Sequence, residues 1–419
     1  MLFLLYSFAF VDRQILNLMI DPIRTSLGVS DFQLSLLQGI AFALFYTAFG
    51  IPLGLAADRL PRRRVILVGV VVWAVAASAC GLATRYWHLL LGRLGVGAGE
   101  AALSPAAYSL LADLFPKEKL TLPTSIMGIG GAAGTSIAAI LATVVIGIVP
   151  DRGVAVPLLG TLQGWQVALL LSGVPGLLLA PLVLTLPEPL RGATAARSSA
   201  PEPRLLPALA ARRRFYIGHF LGFGCYSLMN YGLSSWLPTY LMRVERWSSG
   251  QAAAFAGTMP LLATLPGAVL IGWLLDRWYA SGRRDAHLLF FAIAALVQLA
   301  AVLLAIGVAS GPALLACLFV QATIASFTGG AAAILQINTV PVLRGRVSAV
   351  YLFVFNLLGF GVGPSAVAFV TDFVFADDRM VGWSIAVVYA VVAPIAAALL
   401  LMSGRALGRD RSTDRTGDE

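Results

Sequence analysis

Apolar residues run along this chain in long unbroken stretches separated by short polar gaps. The stretches fall near residues 1–23, 32–57, 65–84, 87–115, 121–149, 164–186, 215–242, 251–275, 287–309, 312–341, 347–375 and 381–403, twelve in all. A helix needs about 20 mostly apolar residues to cross a bilayer. Transmembrane strands would instead alternate apolar and polar residues over about 10 positions. The continuous runs therefore predict an all-α membrane protein with twelve transmembrane helices. One gap is long: 187–214 is rich in Pro, Arg, Ala and Ser and includes Pro187-Glu188-Pro189 and Arg212-Arg213-Arg214. It reads as a solvated linker. The expected organisation is an N-terminal six-helix bundle over 1–187, a cytoplasmic linker over 188–213, a C-terminal six-helix bundle over 214–404 and a polar, frayed cytoplasmic tail over 405–419. Met1 opens into an apolar run without a basic n-region. No cleavable signal peptide is expected, and the first helix reads as clipped at its start.

Composition narrows the class. Of 419 residues, 59% are hydrophobic and only 12% charged. Soluble domains carry roughly 25% charged residues, so an ordinary soluble enzyme is disfavoured, and disorder needs the opposite balance. The net charge of +9 invites a nucleic-acid reading. Its distribution argues otherwise. The even-numbered loops and the tail carry 21 of the 29 Lys and Arg, the odd-numbered loops six, and two lie inside apolar stretches. That bias places both termini and the linker in the cytoplasm of a bacterial inner membrane and explains the charge by topology. Cys80, Cys225 and Cys317 stand singly, and His88, His219 and His287 are far apart. Neither a disulfide framework nor a metal site is expected, and no cofactor.

The chain repeats itself. Gly54-Leu-Ala-Ala-Asp58-Arg59-Leu-Pro-Arg62-Arg63 follows the second stretch. Gly272-Trp-Leu-Leu-Asp276-Arg277 follows the eighth, offset by 218 residues, and leads to Arg283-Arg284. Repeats at half the chain length mark two-fold secondary transporters. A carboxylate at a helix end can clamp an arginine or a neighbouring helix N-terminus. Asp58, Arg59, Arg62, Asp276 and Arg277 are therefore candidate gating residues, the alternative being plain basic flanking of the membrane.

Four charges are informative: Asp12 and Arg13 midway through the first apolar stretch, and Arg93 and Glu100 in the fourth. Unpaired, they would cost on the order of 10 kcal/mol together, so they must be paired, protonated or facing water. Arg93 and Glu100 are seven residues apart, two turns of one helix face and roughly 10 Å along the axis. Asp12 is expected between them. Asp12 and Arg13 point about 100° apart and cannot both face one cavity squarely. One reading is an ion-pair network fastening helix 1 to helix 4. Buried pairs stabilise less than apolar packing does, which favours function: a water-accessible acid pair, Asp12 and Glu100, exchanging protons, with Arg93 and Arg13 holding an anionic headgroup. On that reading Asp12→Asn abolishes proton-driven flux and leaves folding intact.

Phe10-Val11-Asp12-Arg13, the Gly54–Arg63 motif, Arg93-Leu-Gly95-Val-Gly97-Ala-Gly99-Glu100-Ala101, Pro105, Ala112-Asp113-Leu114-Phe115-Pro116, Trp236-Leu237-Pro238 and Gly361-Val-Gly363-Pro364 with Thr371-Asp372 together resemble the Spinster-like branch of the major facilitator superfamily. The resemblance implies that family's fold of two pseudo-symmetric six-helix bundles, proton linkage at Asp12 and Glu100, and a substrate-facing Arg93. Eukaryotic members move lysophospholipids and sphingolipids. Two departures stand out. Pro61 occupies the position where the superfamily usually has Gly, and Gly128-Ile-Gly130-Gly131-Ala-Ala-Gly134 lacks the Gly-Pro pair of many drug antiporters. Those glycines also read simply as close helix packing.

The second half has no central carboxylate. Tyr226, Asn230 and Tyr231 on its first helix are candidate substrate contacts, forming a polar, uncharged wall that suits the apolar part of an amphiphile. The sequence thus predicts a monomeric, proton-coupled secondary transporter of a small-molecule or lysolipid substrate, working among membrane lipids without nucleic acid. The alternatives are an importer or uniporter of small organic anions and, more remotely, a membrane-embedded enzyme. For the latter no nucleophile–base pair is present, and for an ATP-driven pump there is no P-loop.

Overall fold

The computed structural model describes residues 1–114, 121–150, 152–157, 159–188, 205–308, 310–340 and 343–415; the side chains of 51, 55, 57–59, 112, 121–125, 128, 132, 345 and 408–415 lie outside the description. The first part of the chain forms α1 (Leu2–Leu18), α2 (Ile20–Leu27), α3 (Asp31–Gln38), α4 (Ile40–Arg59), α5 (Arg62–Cys80), α6 (Tyr86–Glu100), α7 (Leu103–Leu114) and α8 (Thr121–Ile148). A hairpin of β1 (Val154–Val156) and β2 (Gly160–Leu162) leads to α9 (Gly164–Val183). Then follow α10 (Leu205–Ala211), α11 (Arg213–Arg243), α12 (Ser249–Met259), α13 (Leu265–Ala280), α14 (Ala286–Gly307), α15 (Pro312–Ile324), α16 (Thr328–Ile337), α17 (Arg344–Asn356), α18 (Gly363–Phe369) and α19 (Val381–Arg415). Short π-helical turns at Pro260–Thr264, Leu357–Val362 and Val370–Phe375 join α12 to α13, α17 to α18, and close α18.

Among the described residues nine helical spans are long and apolar enough to cross a membrane, and ten if the pair α1 and α2, bent by 60° at Met19, counts as one. The fourth and seventh apolar stretches fall short for physical reasons. The fourth is broken at Ala101–Ala102 into α6 and α7, and α6 carries Arg93 and Glu100. The seventh is α11, 31 residues long, whose Ser, Asn and Tyr side chains dilute its apolar character. The helix surfaces suit lipid: Leu178 and Val269 are each 71% exposed.

The chain forms two compact units. The first comprises Met1–Arg197, Ser235–Thr258 and Asp377–Arg379; the second Ser198–Ser234, Met259–Ala376 and Met380–Glu419. The carboxyl-terminal part of α11 and most of α12 thus belong with the first unit, a division unlike the expected 1–187 and 214–404. Linker residues 189–204 lie outside the described residues. The expected frayed tail differs as well, because α19 continues unbroken to Arg415.

Small residues set the helix spacing in the first unit. At Gly134 on α8 a Cβ would collide with the Ser7 carbonyl oxygen and lie 2.7 Å from Phe10 Cβ on α1. Gly95 and Gly97 of α6 bring it against Ala76 of α5 and the Phe42 carbonyl of α4. Backbone contact of this kind drives helix association where lipid removes the hydrophobic gain. These glycines are packing residues. Trp73, Ile66, Val96 and Leu110 fill the core between them. In the second unit Phe215, Phe223, Phe291 and Tyr226 are fully buried, with Phe223 and Phe291 meeting edge to face at 5.4 Å.

Candidate functional site

Helix α1 carries Asp12 and Arg13, and α6 carries Arg93 and Glu100. The four form two ion pairs. Arg93 Nη1 donates to Asp12 Oδ2 at 2.5 Å, and the two side chains are 1% and 0% exposed. Arg13 Nε donates to Glu100 Oε2 at 2.8 Å, and its Nη2 donates to the same oxygen. The 100° step between neighbours on α1 sends one side chain to each end of the α6 face. Asp12 therefore does not sit between Arg93 and Glu100, as the spacing suggested. It bonds Arg93 and, through Oδ1, the hydroxyl of Ser172 on α9 at 3.2 Å.

Burial reorders the expected roles. The acid pair is enclosed and not water-accessible: Asp12 is 0% exposed and Glu100 3%. Arg93, expected to face substrate, is closed off by Asp12 and by the tight glycine packing of α6. Arg13 is the most open of the four, with a side chain 15% exposed. Its guanidinium lies over the rings of Phe42 at 4.4 Å, Phe10 at 5.0 Å and Tyr46 at 5.4 Å. Such faces attract a cation and tolerate an apolar neighbour. Glu100 keeps Oε1 buried without a hydrogen-bond partner among the described residues. Asp12, by contrast, has both oxygens engaged.

The duplicated motif is used unequally. Arg62 is buried, and its Nη2 donates to Asp113 Oδ2 at 2.5 Å. Glu188 accepts the backbone N–H groups of Arg62 at 3.1 Å and Arg63 at 2.9 Å, an anion on the N-terminus of α5. The side chains of Asp58 and Arg59 lie outside the described residues. In the other copy Asp276 and Arg277 are both exposed, with Arg277 over the Trp273 ring at 5.5 Å.

The second unit holds a network of neutral polar groups. Asn230 and Gln298 exchange amide hydrogen bonds at 3.3 and 3.2 Å. Gln321 donates to Asn230 Oδ1 at 3.1 Å and to the Tyr389 hydroxyl at 3.3 Å. Of the three residues expected to meet substrate, Tyr226 is fully buried with its hydroxyl on the Ile324 carbonyl at 2.7 Å, where α15 ends. Asn230 is partly buried within the network. Tyr231 is partly exposed and lies 3.8 Å from Phe360, centroid to centroid. The three are brought together along one helix, but Tyr226 serves the helix break and not a cavity.

Sequence reasoning missed a third charged group, in the first unit. Arg243, at the end of α11, donates through Nε to Asp21 at 2.8 Å and through Nη2 to Asp31 at 2.9 Å; Asp31 is 0% exposed. Arg24 approaches Asp31 at 3.5 Å and pairs with Asp378. In sequence Arg24 and Arg243 count only among the six basic residues of the odd-numbered loops. The available signal was Asp31 directly after Ser30, at the start of a helix with a Ser30/Gln33 capping box.

The sequence profile of the Major Facilitator Superfamily matches residues 2–364. An MFS-type efflux pump of Mycolicibacterium smegmatis is 27% identical over 375 residues, spanning 87% of this chain and 81% of that protein. The sphingosine-1-phosphate transporter SPNS2 of Mus musculus is 28% identical over 391 residues, spanning 87% of this chain and 68% of that protein. A crystal structure of a bacterial homologue of the human lysosomal transporter Spinster, inward-facing and unoccupied, has the same fold, with a TM-score of 0.82 at 24% identity over 98% of this chain and 96% of that one. The likeness to Spinster proteins agrees with the motif resemblance. With the profile covering most of its length, the chain belongs to the Major Facilitator Superfamily and is a membrane transporter, not an enzyme.

Proposed function

We propose that this transporter couples proton movement to the passage of an amphiphilic anion, lysolipid- or sphingolipid-like, by alternating access. The observation that carries the reading is the Arg13–Glu100 pair. The unpartnered, buried Oε1 of Glu100 is an oxygen ready to take a proton. Protonation discharges the carboxylate and weakens its hold on Arg13, whose guanidinium can then turn to an anionic headgroup. The three rings around the guanidinium would lie beside the apolar part of an amphiphile, which favours this substrate over a small polar organic anion. Asp12 is the second proton carrier and exchanges only when Arg93 withdraws. Arg93 then becomes available to the headgroup. Tyr231 and Asn230 are the second half's candidate contacts, with Tyr226 supporting them.

In this reading two six-helix halves joined by 188–213 rock about the site, in a bacterial inner membrane with both termini cytoplasmic. The 21-to-six charge bias supports that orientation. Asp58, Arg59 and Arg62 with Asp113, and Asp276 with Arg277, act at the cytoplasmic closure. The protein works as a monomer. A thermal-shift screen of purified protein against lysolipids, organic anions and drugs at two pH values tests the substrate class. Stabilisation by phosphate-headed lysolipids that weakens in Arg13→Gln is expected. Stabilisation by short organic anions alone would favour the anion importer.

A further inference from the structure

A cavity of about 510 Å³ lies in the second unit, away from the ion pairs, where the turn between α13 and α14 meets the carboxyl-terminal part of α19. Arg283, Arg284 and Arg405 border it, and Leu289, Leu400 and Leu401 supply apolar wall. Gly282 makes the turn at φ +93°, a conformation glycine adopts without strain, and the two arginines follow directly. Gly404 forms the floor. A Cβ built there would lie 3.5 Å from Asp285 Cβ and 3.7 Å from Leu288 Cβ, in contact but without a clash. Position 404 lines the cavity without a side chain.

The chemistry is mixed in a telling way. Asp285 also lines the cavity, and Arg283 engages it at 3.4 Å. Arg284 and Arg405 are exposed and carry no ion pair among the described residues, so the cavity is net positive. Its depth in the membrane follows from the helices that build it. The apolar spans Ala286–Gly307 and Asp378–Leu407 begin and end at this level. Guanidiniums therefore stand where phosphate headgroups lie, with Leu289 and the 37%-exposed Leu401 beneath them. A free anion would use the arginines and leave the leucines wet. A lipid uses both, and basic pockets between transmembrane helices take anionic headgroups.

We propose that this cavity is a binding site for an anionic phospholipid, with the phosphate held by Arg284 and Arg405 and an acyl chain laid along Leu289 and Leu401. The site shares no residue with the ion pairs of the first unit, and the proposal does not depend on the identity of the substrate.

Native mass spectrometry of the full chain in detergent tests it, with phosphatidylglycerol, phosphatidylcholine or inorganic phosphate added in separate arms. Phosphatidylglycerol should stay bound under activation that strips phosphatidylcholine, and millimolar phosphate should neither bind nor displace it. Arg284→Gln with Arg405→Gln should weaken phosphatidylglycerol by about thirtyfold, from roughly fivefold per arginine. Gly404→Leu fills the floor without changing charge and should also release the lipid. Equal retention of the two lipids, displacement by phosphate, no effect of the arginine changes, or full retention in a folded Gly404→Leu protein would each overturn the proposal. The arginine variant alters only exposed side chains, so the test still decides if Gly404→Leu fails to fold.

Discussion

Replacing Asp12 with Asn puts the buried charge pair under direct test. Asp12 and Arg93 are 0% and 1% exposed and meet at 2.5 Å. Removing one member leaves the other as an uncompensated buried charge, which costs about 3–5 kcal/mol. Asn keeps one neutral acceptor for Arg93, so the lower end, about 3 kcal/mol, is expected. That is a large share of a typical folding stability of about 5–15 kcal/mol. The variant expected from sequence to keep its fold should therefore fold with a lowered melting point. Arg93→Gln should lose a similar amount. The double variant carries two neutral amides that can bond each other, so it should recover about 2 kcal/mol or more of the summed loss. Thermal unfolding of the four detergent-purified proteins, followed by tryptophan fluorescence, reads the order. The double variant should melt close to the single variants and well above the point that the two losses summed would set. Losses that simply add would show that the pair is not coupled and would refute the reasoning.

Arg243→Gln removes every bond from that guanidinium to Asp21 and to the buried Asp31, and should lower the melting point by an amount corresponding to about 3 kcal/mol. Arg243→Lys should recover only part, because an ammonium cannot bridge two carboxylates as a fork does; full recovery would contradict the bridging role. Gly134→Ala drives a methyl into the Ser7 carbonyl and should cost about 1–3 kcal/mol in unfolding assays. Gly147→Ala on the same helix meets nothing within 4 Å and should stabilise by about 0.5–1 kcal/mol; matching effects would rule out packing as the reason for the glycines. Asn230→Leu strands the amide of Gln298 at about 1–3 kcal/mol and leaves Gln321 its bond to Tyr389, and a melting point equal to the wild type's would show that the network is not formed.

The membrane class, the helical runs and the four intramembrane charges were legible because each is a local violation or fulfilment of hydropathy. Asp12 in an apolar run stands out by composition alone. The pairing was not legible, since which arginine meets which carboxylate depends on the rotation of α1 against α6. Burial of Arg93 was hidden for the same reason: it follows from Gly95 and Gly97 drawing α6 against α5 and α4, a contact across sequence. Ser172, Gln298 and Tyr389 escaped notice as single polar residues in long helices, where most such groups bond their own backbone. Arg243 counted only among the odd-loop basic residues, and its partners Asp21 and Asp31 went unread, because three separate elements bring them together. The break at Ala101–Ala102 had no Pro or Gly at the break itself to announce it.

The most direct test is uptake of a radiolabelled phosphate-headed lysolipid, the one that stabilises the purified protein most in the thermal-shift screen, into proteoliposomes under an imposed pH gradient, comparing wild type with Glu100→Gln. The wild-type rate should change with the gradient, whereas Glu100→Gln should keep gradient-free exchange and respond to the gradient far less, with only Asp12 left to carry protons. A Glu100→Gln protein that follows the gradient as the wild type does would contradict proton coupling through the Arg13–Glu100 pair.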